Sequence, residues 1–448
     1  MRRYTTLPAF LLLASATMSL GWDEYTVGTT RMDHACAYNN QRKMVQSSDG
    51  TIFYTYPKWW RIYVALSTDG GETWNDMGGG PIEDLSGHGQ QWPALAIDSM
   101  DRLHAVWVGT DDGNPMAQIK YARCDGGSWS PWMNVARIAG YEQFAGGANG
   151  GPSLAVDASD GLHLVWTGLD PENSSEAQIK YCHSTDGGGH WSPWESVAAI
   201  SGHTQYRPTV EVDRTGRVHV AWWGPDEHHS PYQVKYSFRH GDAWAPWRNI
   251  GPSTTAWKVN PSLMVDRTNN LFLTCQGTAS GWVDPQIFLA RSTDRGETWA
   301  AWLNISKTKG YRHYDSSIVQ DVGDTLYCVW RGYGNTHPDQ TQVKYARSTD
   351  GGLSWSGITT LTSSPQASLF TIVRWATWNL NGGILNVAYS RETDQEDQWV
   401  MHGREPAILL EGGTVTRLMI DRIIRDFKEG SAGRDTVLSL IDAYMRGV

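Results

Sequence analysis

Cysteine, charge and long apolar runs are all scarce in this sequence. Five cysteines (Cys36, Cys124, Cys182, Cys275, Cys328) are spread over 448 residues with no CxxC pair. That excludes a dense disulfide framework and any obvious zinc site, so no metal and no cofactor is expected. Charged residues are only 19 % against 40 % hydrophobic ones, which excludes a polyelectrolyte or a disordered chain. Basic residues (37) are outnumbered by acidic ones (47), for a net charge of -10. This balance argues against nucleic acid or an anionic membrane as the main partner. No segment has the length and apolarity of a membrane-spanning helix. The one apolar run, Leu7 to Ala16, follows Arg2 and Arg3 and precedes small residues. It reads as a signal peptide over residues 1–21, and a secreted, extracellular or periplasmic protein is expected.

Tryptophan, by contrast, is abundant at 24 residues, and much of it recurs in register. One octet appears four times: Ser67 to Trp74, Ser184 to Trp191, Ser292 to Trp299 and Ser348 to Trp355. Weaker copies surround Trp129, Trp244 and Trp399. Most copies follow a Gln-Ile/Val-Lys-Tyr segment (Gln118, Gln178, Gln233, Gln342), and that segment follows an alternating run ending in Trp107, Trp166, Trp222 or Trp330. Period-two alternation broken by Gly and Asp turns predicts β-strands. Each unit reads as four strands, A to D, with the octet at the C–D turn. Strand A recurs near residues 43, 93, 152, 208, 261, 315 and 369, which predicts a seven-bladed β-propeller. The last unit lacks a fourth strand, and the stretch from Trp22 to Thr29 is expected to supply it. The expected organisation is a signal peptide (1–21), a propeller (22–405) and a helical C-terminal tail or small docking module (406–448).

The octet Ser-x-Asp-x-Gly-x-x-Trp resembles the Asp-box of bacterial neuraminidase repeats. The resemblance covers most of the chain and implies the sialidase-like propeller superfamily. Asp69, Asp186, Asp294 and Asp350 are read as turn formers, since one site does not need a copy in every blade. In such a blade the D–A and B–C connections share one face of the ring. Fifteen tryptophans belong to repeat positions. Of the remaining nine, Trp92 and Trp257 fall in D–A loops, and Trp59, Trp60, Trp223 and Trp282 in or beside B–C loops. Flat aromatics at a cleft mouth suit the apolar face of sugar rings.

His104, His163 and His219 share one strand-B position and read as scaffold. The D–A loops carry richer clusters, Ser201 to Arg207, Gly310 to Asp315, Ser86 to Trp92 and Asn39 to Arg42. Arg42, Arg207 and Arg312 are expected to converge on the central cleft, where guanidinium forks suit a carboxylate ligand. The sialidase resemblance implies an arginine triad, a tyrosine nucleophile and a glutamate helper. Tyr206, Tyr311 and Tyr314 are the tyrosine candidates, with Glu142 as helper. The family's Phe/Tyr-Arg-Ile-Pro signature is replaced here by Gln41-Arg-Lys-Met44. A uronate polysaccharide lyase needs a cation for the carboxylate and a His or Tyr as base and acid. The clusters His203/Tyr206/Arg207 and Arg312/His313/Tyr314 hold those types side by side.

Three readings stay open: a sialidase-like exo-glycosidase, a uronate lyase, and a non-catalytic propeller that binds glycan or protein. The expected partner is a glycan or polysaccharide. The apolar period from Val415 to Phe427, a Gly430–Gly433 break and a second run from Val437 to Met445 predict two short C-terminal helices, packed on the propeller or docking to a partner.

Overall fold

The computed structural model describes residues 23–30, 39–144, 150–279, 281–321, 323–362, 373–378, 385–392 and 398–405. The described strands form antiparallel sheets in meander order. Six of these sheets are built from consecutive strands between Met44 and Thr360 and are numbered blades 1 to 6 here. A further sheet is a composite: Asp23–Thr30 pairs with Gln398–Glu405, which pairs with Leu385–Glu392 and then Val373–Trp378. It lies between blade 6 and blade 1 and closes the ring.

The expected fold class is corrected on two counts. Six blades, rather than the expected seven, are built from consecutive strands. Six sheets are complete in themselves, whereas the last takes three described strands from residues 373–405 and its fourth from Asp23–Thr30. No α-helix occurs among the described residues, and the one helical turn is a 3₁₀ turn at Met77–Gly79. The expected signal peptide and the expected helical tail lie outside the described residues.

First strands touch first strands of the neighbouring blades, so they line the axis. The core sits between blades rather than within them. One buried cluster joins Val106 and Ile119 of blade 2 to Leu154 and Leu164 of blade 3, and another joins Ala221 and Tyr236 of blade 4 to Leu263 and Leu273 of blade 5. A sheet buried on both faces needs apolar residues at nearly every position, as in Leu103–Asp111, where only Thr110 is not buried.

Each octet is a turn device that also staples blades together. Ser184 donates to Asp186, and the amide of Gly188 donates to Ser184. Hydrogen bonds from Ser354 and Ser348 hold the Asp350 carboxyl well below the usual carboxylate range. The octet tryptophan stands edge-on to a tyrosine of the preceding blade: Trp191 to Tyr121 at 5.2 Å, Trp244 to Tyr181 at 5.2 Å, Trp299 to Tyr236 at 5.0 Å. That tyrosine also bonds a strand-B histidine, which reaches an aspartate in the A–B turn. Tyr121, His104 and Asp98 are linked at 2.8 and 3.1 Å, and Tyr236, His219 and Asp213 at 2.7 and 3.3 Å. Such a chain looks catalytic, but it repeats in blade after blade and is buried.

Gly188 (φ +87°) shows how tightly these staples fit, because a Cβ there would lie 1.8 Å from the Tyr121 hydroxyl. Gly188→Ala is expected to destabilise the protein by roughly 2–4 kcal/mol, combining left-handed strain with overpacking. Gly202→Ala (φ +74°, nothing within 4 Å) should cost only about 1 kcal/mol. Urea unfolding of the two variants side by side measures the difference.

Candidate functional site: the mouth of the ring

Every first strand from blade 2 to blade 6, blade 3 excepted, carries a β-bulge at the same place. The register breaks between Gln91 and Ala94, Tyr206 and Thr209, Val259 and Ser262, and Tyr314 and Ser317. One residue in each bulge is left-handed: Trp92 (φ 51°), Arg207 (φ 49°), Asn260 (φ 56°) and Asp315 (φ 52°). For non-glycine residues this conformation costs about 1–2 kcal/mol apiece. Bulges re-aim side chains, and strain that survives folding gathers at functional sites. Three of the four precede a proline (Pro93, Pro208, Pro261), a signal in the sequence that the repeat reading did not use.

The floor of the mouth is a single segment entering blade 1. Asn39 donates its side-chain amide to the carbonyls of Asn260 (2.8 Å) and Ser316 (2.7 Å). Asn40 donates to Gly151 and Pro208, both at 2.9 Å. Gln41 donates to Trp92 (2.6 Å) and Pro152 (3.3 Å), and Lys43 to Pro93 (2.8 Å). Four residues therefore tie blades 2 to 6 across the axis. All four amide and ammonium donors are buried.

The expected arginines take three different environments. Arg42 is ion-paired with the buried Glu211 on the first strand of blade 4. Burial pushes the Glu211 carboxyl up, and Arg42 opposes that. Arg207 lies over Gly150, close beside the Asn40 side chain. Arg312 is exposed (63 % of its side chain) and lies 3.6 Å from Asp284.

Two guanidiniums act on Tyr314: that of Arg331 lies 4.9 Å from its ring, and that of Arg312 favours its ionised form. Burial raises its hydroxyl pKa, and Arg312 and then Arg331 work against that rise. The phenol thus holds its proton at neutral pH. Arg331 is itself anchored to Asp315 at 2.9 Å, and Asp315 is held by Asn260 (3.1 Å) and by its own amide on Gln276 (2.7 Å). Repeat logic missed Arg331, Asn260, Gln276 and Glu211, since each is a single departure from the blade pattern.

Aromatics ring this centre. Tyr206 stacks on Trp223 at 4.3 Å, with Tyr232 edge-on to Trp223 at 5.0 Å. Burial raises the Tyr206 pKa. Trp257 is half-buried against the same cluster, and Trp282 is half-buried in the B–C loop of blade 5. Trp92 stacks on Phe144 at 3.9 Å. Trp60 is exposed at the tip of blade 1.

The expected acid–base residues are not brought together. His203 is half-buried on blade 4, with its carbonyl accepting from Gln178 and Gln205. Glu142 belongs to blade 3, where burial raises its carboxyl pKa, while Tyr314 belongs to blade 6. His313 requires correction as a catalytic candidate. It is buried, and its Nδ1 accepts from Trp330 at 2.9 Å. Gln90, Gln143 and Gln205 do the same for Trp107, Trp166 and Trp222, so His313 fills a scaffold position.

Among the described residues no group of three or more His, Cys, Asp and Glu could hold a metal. No described helix is long and apolar enough to cross a membrane. A cavity of about 520 Å³ between blades 5 and 6, lined by Leu303, Lys307 and Trp355, lies at the outer strands, with Lys307 its only charged lining residue. It is not part of the mouth.

Fold and mouth together define an Asp-box β-propeller with a bulged, arginine- and aromatic-rich axial face. A BNR repeat-like domain model matches residues 101–320. That match supports a β-propeller of the BNR-repeat kind. No curated protein matches it in sequence. Among solved structures it is similar to an ulvan lyase of family PL25 bound to -[GlcA(1-4)Rha3S]-, at 11 % identity and a TM-score of 0.55, covering 85 % of this chain and 94 % of that one. The polysaccharide lyase Uly1 matches at 9 % identity and a TM-score of 0.53, covering 84 % and 91 %. A Dyadobacter fermentans protein of unknown function matches at 13 % and 0.50, covering 72 % and 96 %. At these identities the likeness is one of fold.

Proposed function

We propose that this protein is an exported propeller that binds an acidic polysaccharide at the mouth, and that Arg312, Tyr314 and Arg331 are its central contacts. The observation that carries this reading is one half-buried phenol, with the Arg331 guanidinium 4.9 Å from its ring and the exposed Arg312 two residues before it in the chain. An exposed fork suits a uronate carboxylate, and neutralising that carboxylate acidifies the adjacent C5 proton. In β-elimination a base takes that proton, its electron pair forms the C4–C5 double bond, and the C4–O bond breaks. The leaving oxygen needs a proton, and in this reading the un-ionised Tyr314 gives it. A sialidase-type mechanism is less well supported: the two described acids on the first strands at the mouth, Glu211 and Asp315, are both already ion-paired.

Polyglucuronate, polygalacturonate and alginate, with neutral arabinan for comparison, test this reading. The wild-type protein is expected to bind a uronate polymer and to release product with the ultraviolet absorbance of an unsaturated uronate. Arg312→Ala should weaken binding by roughly tenfold or more. Tyr314→Phe should bind normally and lose on the order of a hundredfold in turnover. Binding without unsaturated product would leave a non-catalytic glycan-binding protein. Binding of none of the acidic polymers would overturn the proposal.

A further inference from the structure

The second and third strands of blade 1, Ile52–Lys58 and Arg61–Ser67, pair up to Lys58 and Arg61, so Trp59 and Trp60 alone make the turn. Both are left-handed, with φ of 51° and 64°. A two-residue hairpin of this type favours Asn-Gly because both positions need positive φ. Two tryptophans are among the least suited residues for it, and they are also exposed, at 61 % and 53 %. Neither turn chemistry nor burial accounts for them.

Their surroundings point to a ligand continuous with the mouth. The Trp60 carbonyl accepts the Gln90 amide at 2.9 Å, which fixes the tip beside the first strand of blade 2. The Trp60 ring lies over Gly89, where an added Cβ would touch it at 3.6 Å. Two residues beyond Gln90 is the bulge residue Trp92, stacked on Phe144. Trp60 and Trp92 thus flank the start of the first strand of blade 2, at the edge of the mouth. The Lys58 ammonium lies 5.3 Å from the Trp59 ring and pairs only distantly with Asp76, at 3.8 Å. An apolar stacking surface beside a cation suits a sugar ring that carries an anionic group.

We infer that the Trp59–Trp60 tip is a distal subsite, gripping sugar units of an acidic polysaccharide beyond those held at Arg312 and Tyr314. The inference rests on the reading of the mouth given above. It makes the protein selective for long chains over short ones, because only a long chain reaches both places at once.

The test is the double variant Trp59→Asn/Trp60→Gly, which supplies the residues the turn favours. It should fold at least as well as the wild type, with a raised unfolding midpoint, so weakened binding cannot be ascribed to misfolding. Calorimetric titration with polyglucuronate should show affinity lower by about tenfold, while affinity for the glucuronate trisaccharide stays unchanged. Equal polymer affinity in the variant and the wild type would overturn the distal subsite and leave the mouth standing. If instead Arg312→Ala leaves polymer binding intact, the reading of the mouth fails, and the distal subsite fails with it.

Discussion

Asn40→Ala is expected to cost roughly 3–5 kcal/mol of stability, far more than an ordinary polar-to-alanine change. The Asn40 amide is buried and donates to the carbonyls of Gly151 on blade 3 and Pro208 on blade 4. Removing it leaves two buried acceptors without a donor and opens a void on the axis, and each orphaned acceptor costs about 1–3 kcal/mol. Asn40→Asp should be as harmful despite its similar shape, because it replaces a donor with an anion facing two carbonyls. Urea unfolding gives the comparison, with Asn335→Ala, at an exposed position of blade 6, as the reference. A loss below about 1 kcal/mol for Asn40→Ala would mean that the segment from Asn39 to Lys43 does not hold the blades together. The effect should extend to ligand binding, because Arg207 and Asn40 both pack against Gly150.

His313→Gln should make the protein more resistant to acid. Burial holds the His313 imidazole down to about 3, from an ordinary value near 6.5. Below an external pH of about 6.5 the unfolded chain takes up a proton that the folded chain refuses. Stability is therefore full above about 6.5 and is lost as pH falls toward 3. Each unit of separation corresponds to about 1.4 kcal/mol, so the loss from this one residue nears roughly 3 kcal/mol at a pH of about 4. Glutamine does not titrate, and it is the residue used at the equivalent positions of blades 2, 3 and 4. There it accepts from the tryptophan and donates to a carbonyl three residues beyond it, as Gln90 does to Thr110 and Gln143 to Leu169. His313 makes only the first of these bonds, and its Nε2 is buried without a partner. The variant should thus gain slightly at neutral pH and more in acid. Thermal unfolding midpoints across this range provide the measurement. Parallel curves for variant and wild type would contradict it. His104 and His219, which burial also holds below the ordinary value, should keep some acid sensitivity in both proteins.

The two predictions divide along the line between repeat and exception. Whatever recurs was legible in the sequence: four strands per unit, the octet turn, the scaffold role of His104, His163 and His219, and the face on which the surplus tryptophans gather. Repetition works as evidence because one buried environment, copied blade after blade, selects the same residue each time. The same logic could have placed His313, had its alignment with Gln90, Gln143 and Gln205 been weighed against its neighbours Arg312 and Tyr314.

Departures such as Arg331, Asn260, Gln276 and Glu211 were not legible, since a pattern is silent about its own exceptions. The sequence by itself determined an Asp-box β-propeller, because strand period, turn chemistry and tryptophan register are local and mutually consistent. It also marked which loops face the mouth. Only the tertiary structure decided that the segment from Asn39 to Lys43 ties five blades across the axis, that Arg42 is paired with Glu211, and that Arg331 of the next strand is brought onto the Tyr314 ring. These are contacts between residues on different strands, most of them on different blades. Their partners are chosen by ring closure and by bulges that turn Trp92, Arg207, Asn260 and Asp315 out of regular register. No local pattern encodes that geometry.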